Sequence, residues 1–452
     1  MYKNKFLTFF NNYILNNFPA ILFLSLTITF IVNSFFNIGL LADGTFTFTN
    51  LLHDIKWDNE NRYFETFISH FAIILPLLLG VTDINFLIIL HGFWIYFSTL
   101  LLLFISYLLY PTKQKHLFFL TSLSYLLTMN ICSGFITSQS FIGAGLYWMI
   151  IIPLIFEDFN TISYKKLLVM IFASCFMIKG YQLDIIFITL FIISGIILIR
   201  KVTNSRKYLL LIFLAINIFS FLYITYNYIF PLKYSYFLEK SYMFKEIFCS
   251  LYLIKLVIFF IILSFLLYIL IKNKRTKIQL FFSILLIFII FGYLVKINFL
   301  FSIAAFRILN YILPLIFSLV IYIIYKKSKD IDIKLISLLN FVLLVSFILN
   351  ISFVAVGWNK QLNNMYSHLI KQEGIVKTGN FFTKYSELPH LHTMISILIQ
   401  KQHGISLIKS IFEPTEISLF AEMNFLPDLT KYGIYYSTDL KSIIKLKTEQ
   451  NL

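Results

Sequence analysis

Three groups of polar side chains stand out in a chain that is otherwise strongly apolar. The first lies between residues 42 and 83 and contains Asp43, His53, Asp54, Asp58, Glu60, Arg62, Glu65, His70 and Asp83. Asp43 stands in Leu-Leu-Ala-Asp-Gly, directly after a long apolar run. A carboxylate in that place can take the proton of an attacking hydroxyl. His53 can do the same, or with Asp54 offer two ligands to a divalent cation, the one cofactor the sequence suggests. The second group is cationic: Lys179, Lys296 and Arg307, each beside or inside an apolar run. A guanidinium such as Arg307 can grip a phosphate with two parallel hydrogen bonds, or can pair with Asp184 or an acid of the first group. The third is Lys179-Gly180-Tyr181-Gln182-Leu183-Asp184, in which Tyr181 and Gln182 could hydrogen-bond a sugar or simply form an interfacial turn. Arg62, at the far side of the first group, is a further candidate for substrate contact.

These residues need elements to hold them, and the apolar runs supply those. About 20 apolar residues cross a bilayer as a helix. Runs at 18–41, 84–110, 117–133, 140–157, 165–179, 183–200, 208–230, 250–271, 278–295, 303–325 and 335–357 predict an all-α membrane protein of about 11 transmembrane helices. The 165–179 run is short for a span. The 62–80 segment, interrupted by Arg62, Glu65 and His70, reads as an interfacial helix ending near Pro76 and Gly80. Residues 1–357 then form the membrane domain with a long first external loop, 42–83. Residues 358–452 have no spanning run and form a small external C-terminal region with a short helix near Leu388–His403.

Charge supports this layout. Lys3/Lys5, Lys113/Lys115, Lys165/Lys166, Arg200–Lys207, Lys272–Lys277 and Lys326–Lys334 fall on alternate turns of the chain and, with the C-terminal tail left aside, hold more than twice as many cations as the opposite loops. Basic loops face the cytoplasm, so the N-terminus is expected there and the C-terminal region outside a plasma (inner) membrane. The same distribution argues against nucleic-acid binding, despite a formal charge of +16: the cations punctuate apolar runs and form no stripe. With 53 Phe and 28 Tyr against 15 Gly and 9 Pro, long helices are favoured over a β-barrel. Cys132, Cys175 and Cys249 show no metal-ligand spacing and no disulfide framework. No Gly-rich phosphate loop or internal repeat is evident, and the oligomeric state is open.

An acid after the first helix (Asp43), a long first external loop with the helix at Arg62-Tyr63-Phe64-Glu65-Thr66, short basic cytoplasmic loops and an external tail together resemble the GT-C superfamily. These are polytopic glycosyltransferases that use polyprenyl-phosphate-linked sugars. In layout the chain is also similar to bacterial glucosyltransferases of surface polysaccharide. The resemblance covers roughly residues 1–357. It implies that Asp43 is the catalytic base and that Arg307, with Lys179 or Lys296, holds the lipid phosphate. The substrates it implies are a polyprenyl-phosphate sugar and a cell-surface glycan or lipid acceptor. Many members carry Asp-Asp, Asp-x-Asp or Glu-x-Asp in this loop, whereas here Asp43 is followed by Gly44 and Thr45. A lipid-linked saccharide transporter or flippase, a polysaccharide polymerase or ligase, and a scaffold acting through its tail are the competing expectations.

Overall fold

The structure is a computed structural model that describes residues 15–41, 48–49, 51–52, 63–131, 139–178, 182–230, 303–327, 333–376, 391–412 and 429–440. These residues are mostly helical. The helices are α1 (Leu15–Ser34), α2 (Tyr63–Leu78), α3 (Ile84–Leu109), α4 (Phe118–Ile131), α5 (Gln139–Phe156), α6 (Tyr164–Phe176), α7 (Ile185–Lys201), α8 (Arg206–Ile229), α9 (Ile303–Lys327), α10 (Ile333–Leu369) and α11 (Leu391–Gln402). Their limits have local causes. Gly80, at φ 81°, reverses the chain after α2. The Asp83 carboxylate then accepts from the backbone N–H groups of Asn85 and Phe86 at 3.0 and 3.2 Å and starts α3, as an N-cap does. Pro111 follows the end of α3, and Ser163 caps α6.

Four described helical segments are long and apolar enough to cross a membrane: Asn17–Ser34, Ile84–Leu109, Arg206–Asn227 and Ile336–Leu369. The expected eleven are therefore not reached by length and composition among the described residues. Helix α6 shows why. Its 13 residues span about 20 Å at 1.5 Å per residue, short of a hydrocarbon core of about 30 Å. The expected spans 250–271 and 278–295 lie outside the described residues. Helix α2 ends at Leu78, just before the predicted stop at Gly80. Its buried side carries His70, Ile73, Ile74 and Leu77, while Phe71, Leu75 and Leu78 are exposed. Both faces of its second half are thus apolar, which suits contact with protein on one side and lipid on the other.

Interdigitated aromatic rings and buried amides hold the bundle. Phe23 meets Phe104 edge-on at 5.0 Å and Phe30 stacks on Tyr96 at 5.4 Å, so α1 and α3 run antiparallel. Tyr147 of α5 stacks on Phe187 of α7 at 4.1 Å and shares a 2.6 Å hydrogen bond with Ser318 of α9. Asn340 of α10 donates to the Phe119 carbonyl of α4 at 2.8 Å and accepts from Ser122 at 2.8 Å. Such links between helices matter in lipid, where no water competes for the polar groups.

The two ends of the bundle differ in kind. At one end, Lys166 donates to the Leu109 carbonyl (3.1 Å) and pairs with Glu157. Beside them Phe156 meets Tyr325 at 4.9 Å, and Arg206 reaches the carbonyls of Asn160 and Ile162. Phe18, near the start of α1, packs on Phe119 there as well. The described basic loops share this end. The C-terminal region sits at the other. Helix α10 runs without a break through the expected 357/358 boundary to Leu369 and buries Trp358, Leu362, Met365 and Leu369 against Ile395 and Ile399 of α11 and Phe412. Two short parallel strand pairs complete the region. β1 (Gly374–Val376) lies beside β3 (Ser410–Phe412), with Ile375 opposite Ile411, and β2 (Leu407–Ile408) lies beside β4 (Tyr435–Tyr436).

Candidate functional site

The polar features that converge on one place lie where the tail meets the bundle. The chain leaves α1 through Asn37, whose backbone is left-handed at φ 59° and ψ 26°. Asparagine tolerates that conformation better than most residues. Its side chain donates to Asn359 Oδ1 of α10 at 3.1 Å and accepts from Gln402 of α11 at 2.7 Å, while its carbonyl accepts from the Trp358 indole at 3.2 Å. One residue therefore ties the first helix, the tenth and the tail.

Two residues on, Gly39 crosses Gly92 of α3. A Cβ on Gly39 would stand 2.6 Å from the Gly92 backbone, so only a hydrogen fits between the chains. That close approach sets the start of the first loop directly against α3 and beside His91. The His91 ring is buried, 5.3 Å from that of His70 on α2, and Phe48 of the first loop covers it at 5.2 Å. His70 Nδ1 and the Ser69 hydroxyl are 2.7 Å apart. Trp94, one turn along α3, donates to the Ile68 carbonyl at 2.8 Å and holds α2 in place.

Around this polar centre the segment between α1 and α2 contributes Leu40, Phe48, Leu51 and Leu52 to an apolar cluster with Ile73, Leu77, Leu87 and Ile88. Ile397, Leu398, Ile408, Ile411 and Ile434 of the tail join the same cluster. These described loop residues are held between α2, α3 and the tail. Asn33, on the buried stripe of α1 that includes Leu22, Leu26 and Phe30, has a side-chain amide with no hydrogen-bond partner at 1% exposure. An unsatisfied buried amide costs on the order of 1–3 kcal/mol. Among the described residues no group of three or more His, Cys, Asp or Glu side chains gathers as a metal site.

The residues singled out in the sequence fare unevenly. Asp43, His53, Asp54, Arg62, Lys179, Tyr181 and Lys296 lie outside the described residues. Gln182 belongs to a 3₁₀ turn, Gln182–Asp184, and Arg307 to the second turn of α9, both described by backbone alone. Asp184 is buried at the start of α7. Phe187, three residues on, lies 4.9 Å from Tyr311, one turn beyond Arg307. The helix of Arg307 and the turn of Asp184 are therefore neighbours. Asp83, counted among the loop acids, is the cap of α3.

His91, Asn33 and Asn37 are not among the residues that motif and charge single out. An imidazole inside the run 84–110 was a signal, because ionisable groups inside spans are costly and rare. The tail adds two titrating groups. Desolvation lowers the His403 imidazole, which stacks on Tyr366 at 3.7 Å, and burial pushes the Tyr432 phenol up to about 12. No family model, curated protein or solved structure matches this chain.

Proposed function

We propose that this protein is a membrane glycosyltransferase that moves a sugar from a polyprenyl-phosphate donor to a glycan or lipid acceptor. The reaction takes place at the tail end of the bundle, on the external face of the plasma membrane, with the basic loops in the cytoplasm. One observation carries the reading. The described residues between α1 and α2, Leu40, Phe48, Leu51 and Leu52, pack against α2, α3 and the tail at the end opposite the described basic loops, in the segment whose sequence concentrates the acids. A loop seated there meets a lipid-linked donor arriving sideways from the bilayer and an acceptor arriving from water.

In this mechanism the Asp43 carboxylate takes the proton of the acceptor hydroxyl as its oxygen bonds to the anomeric carbon. The bond from that carbon to the phosphate oxygen breaks, and the lipid phosphate leaves with the electron pair. Arg307, with Lys179 or Lys296, offsets the charge that develops on the leaving phosphate. His53, Asp54, Arg62, Tyr181 and Gln182 are the further substrate contacts of this reading. A divalent cation held by His53 and Asp54 would add charge stabilisation. Phe48, packed on the buried His91 ring, seats the described part of the loop.

The test is transfer by the full chain in vesicles from a panel of polyprenyl-phosphate sugars, comparing the natural protein with Asp43→Asn. Transfer that falls by about 100-fold or more in the variant supports the assignment, on the scale of a lost general base. Full activity in Asp43→Asn removes Asp43 as the base. No transfer by the natural protein with any donor, together with movement of the lipid-linked sugar between leaflets, replaces the reading with a flippase.

A further inference from the structure

The loops that join α5 to α6 and α7 to α8 are locked together at the basic end. Arg206 donates from Nε to the Ile162 carbonyl at 2.6 Å and from a terminal nitrogen to the Asn160 carbonyl at 2.8 Å. Asn204 donates to the same Asn160 carbonyl at 2.6 Å, and the hydroxyls of Tyr164 and Ser205 are 2.8 Å apart. The Arg206 guanidinium also lies 5.0 Å from the Tyr164 ring centre. Two loops that could move separately are thereby one platform.

Lys165, Arg200, Lys201 and Lys207 stand exposed on that platform. Glu157 is occupied by Lys166, so among the described residues of the platform the opposing charge is that of Asp158. Like charges gathered on one platform repel one another, and among the described contacts no hydrogen bond or ion pair of the platform uses these four side chains.

The helices beneath explain what they face. α8 packs between α6 and α7: Asn217 donates to Ser174 at 3.2 Å, and Gly195 lies against Leu214. Each helix carries an exposed apolar stripe at helical spacing that ends in one or two of these cations. On α6 the stripe is Leu168 and Phe172, and it ends at Lys165. On α7 it is Ile193, Ile196 and Ile197, ending at Arg200 and Lys201. On α8 it is Leu211, Ile212, Phe219 and Leu222, ending at Lys207 and the exposed Tyr208. Apolar stripes suit acyl chains, an exposed tyrosine suits the membrane interface, and a cation one turn above suits a headgroup phosphate.

We propose that the α6–α8–α7 face is a binding site for an anionic phospholipid. In that site Lys165, Arg200, Lys201 and Lys207 hold the headgroup phosphate and the three stripes seat the chains. This goes beyond the electrostatic bias that orients basic loops. Orientation needs only that the charges be on one side, whereas this site needs them above particular stripes on a rigid platform. It stands independently of the transfer reaction.

The experiment is native mass spectrometry of the full chain in mild detergent. Phosphatidylglycerol and phosphatidylcholine with identical acyl chains are titrated in. The expected result is a preference for phosphatidylglycerol of about tenfold, from cations worth ~1 kcal/mol each before screening and before the opposition of Asp158. The variant Lys165→Gln/Arg200→Gln/Lys201→Gln/Lys207→Gln retains Arg206 and the platform and is expected to lose that preference. Lys165→Arg/Lys201→Arg/Lys207→Arg is expected to keep it, as is Lys371→Gln/Lys409→Gln on the tail. Should the quadruple variant not fold, Lys207→Gln alone is expected to lower the preference measurably. Equal binding of the two lipids by the natural protein, or a preference retained in the folded quadruple variant, overturns the proposal. So does a loss of preference in the tail variant as large as that on the platform.

Discussion

Gly39→Ala and Gly92→Ala add the same methyl group to the two partners of one crossing, yet the geometry makes them unequal. A Cβ on Gly39 would lie 2.6 Å from both Cα and N of Gly92 and 3.1 Å from His91 Cδ2. The obstacle is helix backbone, which has no rotamer to change. The turn must therefore retreat by about 0.8 Å to reach ordinary contact, and overpacking of this sort costs about 1–3 kcal/mol. Because backbone moves on both sides, about 3 kcal/mol is expected. A Cβ on Gly92 points instead toward the Gly39 nitrogen at 3.2 Å and Ser34 at 3.4 Å, a tight but tolerable fit. It also gains about 1 kcal/mol of helix propensity, so Gly92→Ala should be within about 1 kcal/mol of the natural protein. Unfolding by titration of dodecyl sulfate into mixed micelles measures both. Trp358 offers a local reading: its indole binds the Asn37 carbonyl two residues from Gly39, so its emission should shift to the red in Gly39→Ala in the folded state. A Gly39→Ala protein within about 0.5 kcal/mol of the parent, or a Gly92→Ala protein of equal or greater cost, would refute the crossing as described.

Two further outcomes are expected. Asn340→Leu removes the bonds to the Phe119 carbonyl and from Ser122 that join α10 to α4. It should cost about 1–2 kcal/mol, with a coupling of about 0.5–1.5 kcal/mol to Ser122→Ala in a double-mutant cycle; zero coupling would mean that the helices do not meet there. The His403 imidazole is lowered by desolvation. In the folded tail it binds a proton less readily than in the unfolded chain, so its contribution is present above the ordinary pKa of about 6.5 and is lost as pH falls through and below it. Proteolysis of the tail should therefore quicken from pH 7.5 to 5.5, and His403→Phe, which keeps a ring on Tyr366, should blunt the change. An identical acid response in that variant assigns the effect elsewhere.

The features that could be read without coordinates are those with local causes. Apolar runs place most of the described helices within a few residues, because caps and breakers such as Asp83, Gly80, Pro111 and Ser163 act on their own neighbours; α1, which stops at Ser34 and not at 41, and α10 are the exceptions. The described basic clusters share one end because a chain that reverses at successive helices returns to the same side at alternate loops. The continuation of α10 past residue 357 also had a local signal, since Trp358, Leu362, Met365 and Leu369 recur at helical spacing. That signal yielded to a composition shift that looked like a boundary.

Tertiary structure alone decided which distant polar groups meet. His70 and His91 are adjacent only because Trp94 and the Gly80 reversal fold α2 back on α3. Asn37 reaches Asn359 and Gln402 across more than three hundred residues, and hydropathy carries no information about such partners. The closeness of Gly39 and Gly92 depends on where two backbones cross, which is a property of packing and not of either residue. Sequence by itself determined a helical membrane protein with acids concentrated in its first loop. Only packing decided that Phe48, Leu51 and Leu52 of this loop are held between α2, α3 and the tail, because burial energy is shared among contacts that no single segment contains.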